Sequence, residues 1–375
     1  MGTDSLDLEE MFKVGFADKY GGTSVVTAEQ DNNIVDRTAK KFERVPGDGY
    51  SVLVTSGPGR INDAPDGKKF TDWMYDIIKG IRADHAWGIV KNRLQQKLRD
   101  HEIPDVIFKD DFQSIEKVLK SGDDINPREM ANILAFPELT QAKILQIVGQ
   151  YRHPEVQWHL VNCPLGLIGQ EGHGRIDVPI DHEKSLTNIR DLATRGGLAS
   201  KITIVPGFVG DMSYHQMGKL VTLERGSSDA TATYWGAALG LDEVVIYSDK
   251  PGILSIHPDI VSGLNPLEEL TYLEAHLYAG WGAGIIQQLA IRPAMDKKTL
   301  LIIKSSLEPE LPGTRIGGKP YTKNYGVKAI AYVPGRSAVV IRDISDRPGC
   351  GAAVEALFGK HEISVEHLVD GVNQR

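Results

Sequence analysis

The chain has few of the features that mark secreted, membrane or nucleic-acid-binding proteins. Of its 375 residues only two are cysteines, Cys163 and Cys350, and their wide separation argues against a disulfide framework and a Cys-x-x-Cys zinc site. No apolar run approaches the roughly 20 residues that a membrane span needs. A formal net charge of -8 argues against a nucleic-acid or anionic-membrane partner, because both need a concentrated basic face. Small molecules and other protein chains remain as the possible binding partners.

The overall composition is that of an ordinary globular protein, with 41% hydrophobic and 25% charged residues. The length allows two or three domains. The acidic N-terminus, residues 1–7, lacks a charged-then-apolar signal and has Leu6 where myristoylation requires Ser or Thr. We therefore expect a cytoplasmic protein whose cysteines are reduced.

A lysine and two glycines stand where an apolar strand should pass into a helix. Residues 12–17 alternate like a strand, residues 19–25 read Lys-Tyr-Gly-Gly-Thr-Ser-Val, and residues 26–44 have apolar positions at helical spacing. Such glycines let backbone N–H groups approach a phosphate, which the start of the helix also favours, and the lysine adds a full charge. The spacing is neither that of a P-loop nor that of the dinucleotide fingerprint.

A second strand, residues 50–56, runs into another glycine turn, Gly57-Pro58-Gly59. By itself, a glycine-proline turn after a strand is most often only a turn. In a doubly wound sheet, however, the C-terminal ends of neighbouring strands converge on one crevice. The two glycine turns are therefore candidates for lining a single ligand site.

A third polar cluster follows the short strand at residues 202–205. It reads Thr-Leu-Glu-Arg-Gly-Ser-Ser-Asp over residues 222–229 and precedes a helix of small residues. Its two serines and its aspartate offer oxygens and N–H groups at the N-terminus of that helix, and its arginine has the geometry to hold a carboxylate in bidentate fashion. On composition alone, this segment is a capped loop.

The region from about residue 69 to residue 136 is predicted to be helical, with its aromatic residues in the core. Asn126 as N-cap and Pro127 at the first helical position predict that a helix begins there. Glu129 lies in its first turn, where a glutamate complements the helix dipole. His173 has no neighbours at metal-ligand spacing, so we expect a surface histidine and no metal site.

Taken together, these segments resemble the aspartokinases of the amino acid kinase family. Residues 19–24 resemble the family signature Lys-Phe-Gly-Gly-Thr-Ser, with Tyr20 in place of phenylalanine, and the Gly-Phe-x-Gly and Thr-Leu-x-Arg-Gly-x-Ser-Asp elements follow in the family's order. The resemblance covers residues 10–308. It implies an α/β fold, a three-layer α/β/α sandwich with a mainly parallel sheet and an active crevice at the strand C-termini.

The resemblance also implies a reaction, the transfer of a phosphoryl group from ATP, with Mg²⁺, to the side-chain carboxylate of aspartate. A carboxylate is ionised at neutral pH, so no general base is needed. Lys19 and Asp229 are the implied catalytic residues. The implied nucleotide-binding residues are Gly21, Gly22, Ser248, Asp249, Lys250 and Gly252. The implied substrate-binding residues are Thr23, Ser24, Glu129, Phe208, Arg225, Gly226, Ser227 and Ser228.

Several positions depart from the family pattern. Leu254 and Asp259 replace a tyrosine and an arginine, and Gly284 replaces a nucleotide-contacting lysine, so positive charge near the triphosphate is reduced. Lys250 is close enough in sequence to compensate, although an exposed turn lysine is the plainer interpretation. Ile61 stands where the family often has a substrate-contacting threonine. Two alternatives therefore stay open: a kinase for another carboxylate acceptor, and a catalytically weakened amino-acid-binding regulatory protein.

The C-terminal region is predicted to be a separate small domain. A linker is predicted over residues 309–326, because Pro309 to Tyr325 holds three prolines and three glycines. Residues 327–375 resemble part of an ACT domain that lacks its second helix and last strand, which leaves an unpaired sheet edge. We expect a homodimer through this segment, with an amino-acid effector at the joint, or else a shortened chain. The predicted elements are strands at 327–332, 338–341 and 363–365, a helix near 352–358 and an Asp-Arg-Pro-Gly turn.

Overall fold

The structure is a computed structural model in which the chain forms two compact units, residues 1–332 and 333–375. Ile61, Cys163 and Gly284 lie outside the described residues, as do Asp346 and Arg347 of the predicted Asp-Arg-Pro-Gly turn. No helix in the described part of the chain is both long and apolar enough to cross a bilayer. The described residues are 15–60, 67–121, 125–162, 165–212, 219–257, 259–281, 286–317, 327–331, 337, 339–341, 348–361, 363 and 365.

The first unit is built on an eight-stranded, mainly parallel sheet. The strands formed among the described residues are β1 Gly15–Tyr20, β2 Tyr50–Thr55, β3 Trp158–Leu160, β4 Ile202–Pro206, β5 Val209–Asp211, β6 Leu220–Thr222, β7 Glu243–Ser248, β8 Glu269–Leu270, β9 Leu300–Ser305 and β10 Thr314–Ile316. The sheet order is β3-β4-β2-β1-β7-β9-β10-β8, and every pair is parallel except β9 with β10. Strands β5 and β6 form a separate antiparallel ribbon.

Helices cover both faces of this sheet and complete three layers, as the resemblance implies. The α-helices are α1 Ala28–Phe42, α2 Phe70–Ile78, α3 Ala83–Asp100, α4 Lys109–Ser121, α5 Pro127–Arg152, α6 His182–Arg195, α7 Ser228–Ala238, α8 Tyr272–Gly280, α9 Gln288–Lys297 and α10 Cys350–Lys360. Short 3₁₀ turns occur at Gly22–Ser24 and Asp105–Phe108. Side chains alternate along the central strands, so Tyr20 and Leu53 pack under α1 to α5 while Ala17 and Val52 pack under α6, α7 and α9.

Local signals explain where two of these helices begin. The side chain of Asn126 accepts hydrogen bonds from the N–H groups of Arg128 and Glu129, and Pro127 occupies the first helical position of α5. Helix α1 begins with a capping box between Thr27 and Gln30. The α5 start therefore matches the prediction.

Strand β1 ends three residues later than the alternation of residues 12–17 predicts. Lys19 and Tyr20 belong to the strand, because Tyr20 is paired on both sides, with Thr55 of β2 and Tyr247 of β7. Lys19 thus extends from a central strand, and the glycine turn begins only at Gly21.

The range 309–326, for which the sequence predicts a linker, contains strand β10. This strand is antiparallel to β9 and parallel to β8. Gly313 and Gly317 flank it with φ values of 72° and 137°, so these glycines shape the ends of a short strand. The Thr314 hydroxyl accepts a hydrogen bond from the Ile253 N–H at 2.8 Å, which ties the strand to the segment after β7.

The ACT-like segment is described only in part. Helix α10 forms where a helix is predicted near residues 352–358. The strand predicted over 327–332 is not formed in residues 327–331, whose Ile330 N–H instead donates one isolated hydrogen bond to the Ser255 carbonyl. Residues 339–341 likewise have no regular secondary structure. The partial ACT domain stays a prediction.

Candidate active site

The first glycine turn leaves the sheet at its topological switch point. Strand β1 is central, and the chain builds the sheet outward through β2 and β4 on one side and through β7 and β9 on the other. Ligand crevices of open parallel sheets form outside the strand C-termini at such a point. Here the Gly21 N–H donates to the Tyr247 carbonyl at 3.2 Å, and the Ser56 N–H donates to the Tyr20 carbonyl at 3.1 Å. Three strand ends are therefore joined.

The two glycine turns are in direct contact. The Gly59 N–H donates to the Gly22 carbonyl at 2.8 Å. A Cβ placed on Gly59 would lie 2.7 Å from the Gly22 carbonyl carbon, and one on Gly22 would lie 2.8 Å from the Gly57 oxygen. Only glycine permits this approach, so the proximity inferred from the sheet topology is found.

Lys19 and Asp229 form an ion pair at the base of this crevice. Their Nζ and Oδ1 atoms are 2.6 Å apart, and both side chains are about nine-tenths buried, at 10% and 11% exposure. Asp229 lies in the first turn of α7, where the helix dipole favours a negative charge. The Lys19 ammonium lies beside Gly21, 3.5 Å from where a Cβ on that glycine would be. A positive charge is therefore held next to the turn.

The turn also presents unused hydrogen-bond donors. Within the described residues, the N–H groups of Gly22 and Thr23 donate to no protein acceptor. Free N–H groups beside an ammonium are a donor set that suits a phosphate. Both residues are only partly buried or exposed, so a ligand can reach them.

Ser24 connects the turn to the far side of the crevice. Its hydroxyl donates to the Ser306 hydroxyl at 2.7 Å, and the Ser306 N–H donates to the Ser248 carbonyl at 2.7 Å. Ser248, at the end of β7, is thereby brought to the first turn. Sequence reasoning missed Ser306, although a serine directly after β9 is the available signal, because that strand ends beside β7.

The N-terminus of α7 forms another wall. The Ser227 hydroxyl is buried and has no hydrogen-bond partner among the described residues. Ser228 packs against Gly207, where an added Cβ would lie 2.6 Å from the serine Cβ. Phe208 is buried with a φ of 67°, in the left-handed region that non-glycine residues avoid. Gly226 also has a positive φ, 83°, so the segment turns sharply at both places.

Arg225 lies at the rim of the site. Its side chain is 60% exposed, with the guanidinium 4.2 Å from the centre of the Tyr75 ring and 3.6 Å from Asp72 Oδ1. The Arg225 carbonyl accepts a hydrogen bond from the Gln287 side chain. Helix α2, which carries Tyr75 and Asp72, therefore holds the exposed Arg225 guanidinium at the rim of the site.

Glu129 is not brought to this cluster. Its carboxylate accepts a hydrogen bond from the Asn126 N–H at 3.1 Å, so it completes the capping box at the start of α5. The carboxylate that reaches the crevice is Glu138, nine residues and about 13 Å further along the same helix.

Glu138 is a buried carboxylate beside the second glycine turn. The side chain is only 4% exposed, the Gly57 N–H donates to it, and Oε2 has no partner within the described part of the chain. Burial raises its pKa to about 8, against a smaller opposing effect of the Gly57 hydrogen bond. Sequence reasoning missed Glu138. A lone carboxylate inside the apolar run Ile-Leu-Ala-Phe-Pro-Glu-Leu is the signal that could have found it.

The predicted nucleotide-binding residues after β7 are only loosely held. The Ser248 hydroxyl accepts from the Lys250 N–H at 3.1 Å, and the Lys250 ammonium lies 3.3 Å from Asp249, with both side chains half exposed. Gly252, with a φ of 151°, packs on Thr314. Leu254, which stands in place of the family tyrosine, is buried.

Comparisons with known proteins agree with this geometry. The model of the Amino acid kinase family matches residues 18–305. An aspartate kinase of Pseudomonas fluorescens is 25% identical over 359 residues, covering 95% of this chain and 71% of the relative. The lysine-sensitive aspartokinase 3 of Escherichia coli is 25% identical, with 93% of this chain and 74% of the relative covered. The chloroplastic aspartokinase 3 of Arabidopsis thaliana is 38% identical over 115 residues, which are 31% of this chain and 20% of the relative.

A solved structure has the same fold. E. coli aspartokinase III in complex with aspartate and ADP superimposes with a TM-score of 0.73 at 21% identity, over 96% of this chain and 76% of the other. The chain thus spans between a fifth and about three quarters of the length of the proteins named here. Because the family model covers well over half of the chain, this protein belongs to the amino acid kinase family.

Proposed function

We propose that the protein is an aspartokinase, which transfers the γ-phosphoryl group of ATP to the side-chain carboxylate of aspartate and yields ADP and an acyl phosphate. The observation that carries the proposal is the Lys19–Asp229 ion pair, held 2.6 Å apart under a turn with unused N–H groups. Relatives that cover most of this chain are named aspartate kinases. A solved neighbour holds aspartate and ADP.

We assign the phosphate groups to the first turn, and its hydrogen-bond donors support this assignment. The N–H groups of Gly22 and Thr23 would bind phosphate oxygens, and Lys19 would neutralise charge that spreads over the transferred group. The Gly21 N–H already donates to the Tyr247 carbonyl, so we no longer assign it to the nucleotide, and Thr23, expected among the substrate-binding residues, is assigned to phosphate instead. Asp229 holds the Lys19 ammonium in place. Because the pair is nearly buried, the charge acts through a medium less polarisable than water. The aspartate carboxylate is already ionised and needs no base.

Mg²⁺ is part of the proposal as the partner of the nucleotide, where it would neutralise phosphate charge. Among the described residues no group of three or more His, Cys, Asp or Glu side chains gathers as a metal cage. An ion of this kind would be bound mainly through phosphate oxygens, and Asp229 would supply a carboxylate beside the first turn.

We assign the amino-acid end of the substrate to Arg225, Ser227 and Glu138. Arg225 would bind the α-carboxylate, and the unpartnered Ser227 hydroxyl would donate or accept one further hydrogen bond. We assign the ammonium to Glu138 and not to Glu129. An ammonium supplies the partner that Glu138 Oε2 lacks and stabilises the ionised carboxylate that burial disfavours.

ATP turnover with a panel of amino acids tests the function, with the acyl phosphate trapped by hydroxylamine. We expect ADP release and hydroxamate formation that depend on aspartate. If hydroxamate forms only with a different amino acid, that amino acid and not aspartate is the phosphoryl acceptor. ADP release that does not respond to any amino acid would contradict the proposal.

A catalytically weakened amino-acid-binding protein is the second candidate. The observation that favours it is the ion pair between Lys250 and Asp249. Lys250 is the residue predicted to replace the positive charge that is missing from the nucleotide site, and Asp249 neutralises that charge. Calorimetry separates the two functions, because this candidate binds aspartate but releases no ADP.

The predicted domain division is proposed with one change: a catalytic domain over about residues 10–308 to which strand β10, within the predicted linker 309–326, also belongs, and an ACT-like segment over 327–375. We also propose a cytoplasmic homodimer that binds an amino-acid effector. One neighbour is the E. coli enzyme with lysine and aspartate, which supports an amino-acid effector for this fold.

A further inference from the structure

A buried polar network lies behind the first glycine turn, on the side away from the crevice. Its members are Asp31 of α1, Lys97 of α3, Gln141 of α5 and His101 just after α3, and all four side chains are at most about 5% exposed. Asp31 Oδ2 lies 2.8 Å from Lys97 Nζ and 2.9 Å from His101 Nε2. Gln141 Nε2 donates to Asp31 Oδ1 at 2.9 Å. Three helices are therefore joined at one carboxylate.

Lys97 extends this network to the turn. Its ammonium donates to the Val25 carbonyl at 2.6 Å and to the Gln141 side-chain oxygen at 2.7 Å, besides its contact with Asp31. The three N–H donors of the ammonium thus have three acceptors. Val25 is fully buried and ends the 3₁₀ turn Gly22–Ser24, since its N–H donates to the Gly22 carbonyl at 3.3 Å.

The placement of Lys97 is unusual for a lysine. Burial lowers its pKa, and the Asp31 carboxylate opposes that effect. A charged group is stable in such a position only while its partners hold still, so its hydrogen bond to Val25 is directional and stiff. The other face of the same turn holds Lys19 beside Gly21 and the unused N–H groups.

We infer that Lys97 is a positioning residue, which fixes the Val25 carbonyl and thereby the backbone N–H groups of the first glycine turn at the phosphate site. Only the expected effect of Lys97 on turnover rests on the proposed kinase function. Its structural part, that Lys97 restrains residues 22–25, stands on the contacts above.

If the network only stabilises the fold, loss of Lys97 and loss of His101 should have similar effects. A variant of His101 therefore distinguishes that role from a positioning role of Lys97. His101 contacts the same Asp31 oxygen and its side chain is equally buried, but among the described residues it makes no hydrogen bond or ion pair with the turn. Lys97→Met removes the Val25 contact, whereas His101→Leu disturbs the network and leaves that contact in place. Lys97→Arg keeps a cation that can donate to the same carbonyl.

Two measurements on the full chain test the inference. Hydrogen exchange at the Ser24 and Val25 amides should speed up about tenfold or more in Lys97→Met and stay near wild type in His101→Leu. Under saturating aspartate, kcat/KM for ATP should fall roughly 10- to 100-fold in Lys97→Met, as expected for a misplaced donor set, with the KM for aspartate changed less than about twofold. Lys97→Arg should recover most of both losses.

If Lys97→Met does not fold, the double variant Asp31→Asn with Lys97→Met removes both charges and takes its place. Equal exchange at Ser24 and Val25 in Lys97→Met and His101→Leu, with equal loss of thermal stability, would overturn the inference. A wild-type protein without turnover would count against the proposed function and not against Lys97, since the exchange measurement needs no activity.

Discussion

Pro137 of α5 packs against Gly57 so closely that a Cβ on residue 57 would lie 2.6 Å from the proline Cβ and 3.1 Å from Glu138 Cδ. This contact sets the position of the second glycine turn relative to α5. It also brings the Gly57 N–H to the Glu138 carboxylate. A glycine after one strand and a proline inside a distant helix thus together determine where a buried carboxylate lies.

Gly57→Ala should therefore disturb the site. Overpacking of this kind costs about 1–3 kcal/mol of unfolding free energy, and displacement of Glu138 should weaken aspartate binding as well. Urea unfolding and calorimetry measure the two effects. Gly47→Ala is the matched control, because a Cβ there meets nothing within 4 Å and should change stability by less than about 0.5 kcal/mol. Equal behaviour of the two variants would mean that α5 moves aside without consequence.

Lys19→Met should abolish turnover. Loss of a positioned charge at the transition state costs on the order of 3 kcal/mol or more, which is a hundredfold or more in rate. Lys41→Met is the control, since Lys41 pairs with Asp18 on the opposite face of β1 at 2.8 Å and faces no ligand in the proposed site. That variant should lose stability and keep its turnover per folded molecule. Steady-state rates, corrected for the folded fraction by circular dichroism, decide between these outcomes.

Stability should depend on pH through Glu138. Its pKa is raised from 4.5 to about 8 in the folded protein, so the folded state favours the protonated carboxyl. The stabilisation of the folded state that comes from protonated Glu138 is fully present below about pH 4.5, and it is lost as the pH rises toward 8. Glutamine does not titrate, so Glu138→Gln does not lose this stability as the pH rises. The melting temperature of the variant, relative to that of wild type, should therefore increase between pH 5 and pH 8. A pH-independent difference between Glu138→Gln and wild type would contradict the assignment.

Arg225 should govern amino-acid affinity. Arg225→Lys should weaken aspartate binding by calorimetry, because a point charge cannot reproduce a two-point contact with a carboxylate. Tyr75→Leu should weaken it less, about two- to fivefold, since a cation–π contact at an exposed site contributes about 0.5–1 kcal/mol. Arg195→Lys is a control, because Arg195 is exposed and pairs only weakly, at 3.5 Å, with Asp191. Unchanged affinity in the first two variants would place the pocket elsewhere.

The ACT-like segment should assemble the protein. Its described apolar residues include Val339, Val340 and Leu357, each more than half exposed, so a second chain has apolar surface to cover. Light scattering should find a dimer for the full chain and a shift toward monomer for a protein that ends near Gly318. A shortened protein that remains fully dimeric would place the interface in the catalytic unit.

The sequence alone determined the local features around the first glycine turn and the start of α5. Asn126 and Pro127 set the start of α5 through local hydrogen bonding, and the alternation and glycine spacing predicted the strand, turn and helix at Lys19 to Gly22, because these signals act within a few residues. The resemblance selected Lys19 and Asp229, and the structure brings them to 2.6 Å.

Only the tertiary structure decided which charged groups are buried and what they meet. Glu129 and Glu138 lie on one helix, yet contact with Gly57 distinguishes the buried one, and the sequence does not encode that contact locally. In the sequence, Lys97 looks like an ordinary lysine on a helix. It is buried only because α1 and α5 pack around it and supply Asp31 and Gln141 as partners. Ser24 and Ser306 are 282 residues apart and meet only because β1, β7 and β9 are neighbours in the sheet. Burial and partners across such distances come from packing, which no local pattern specifies.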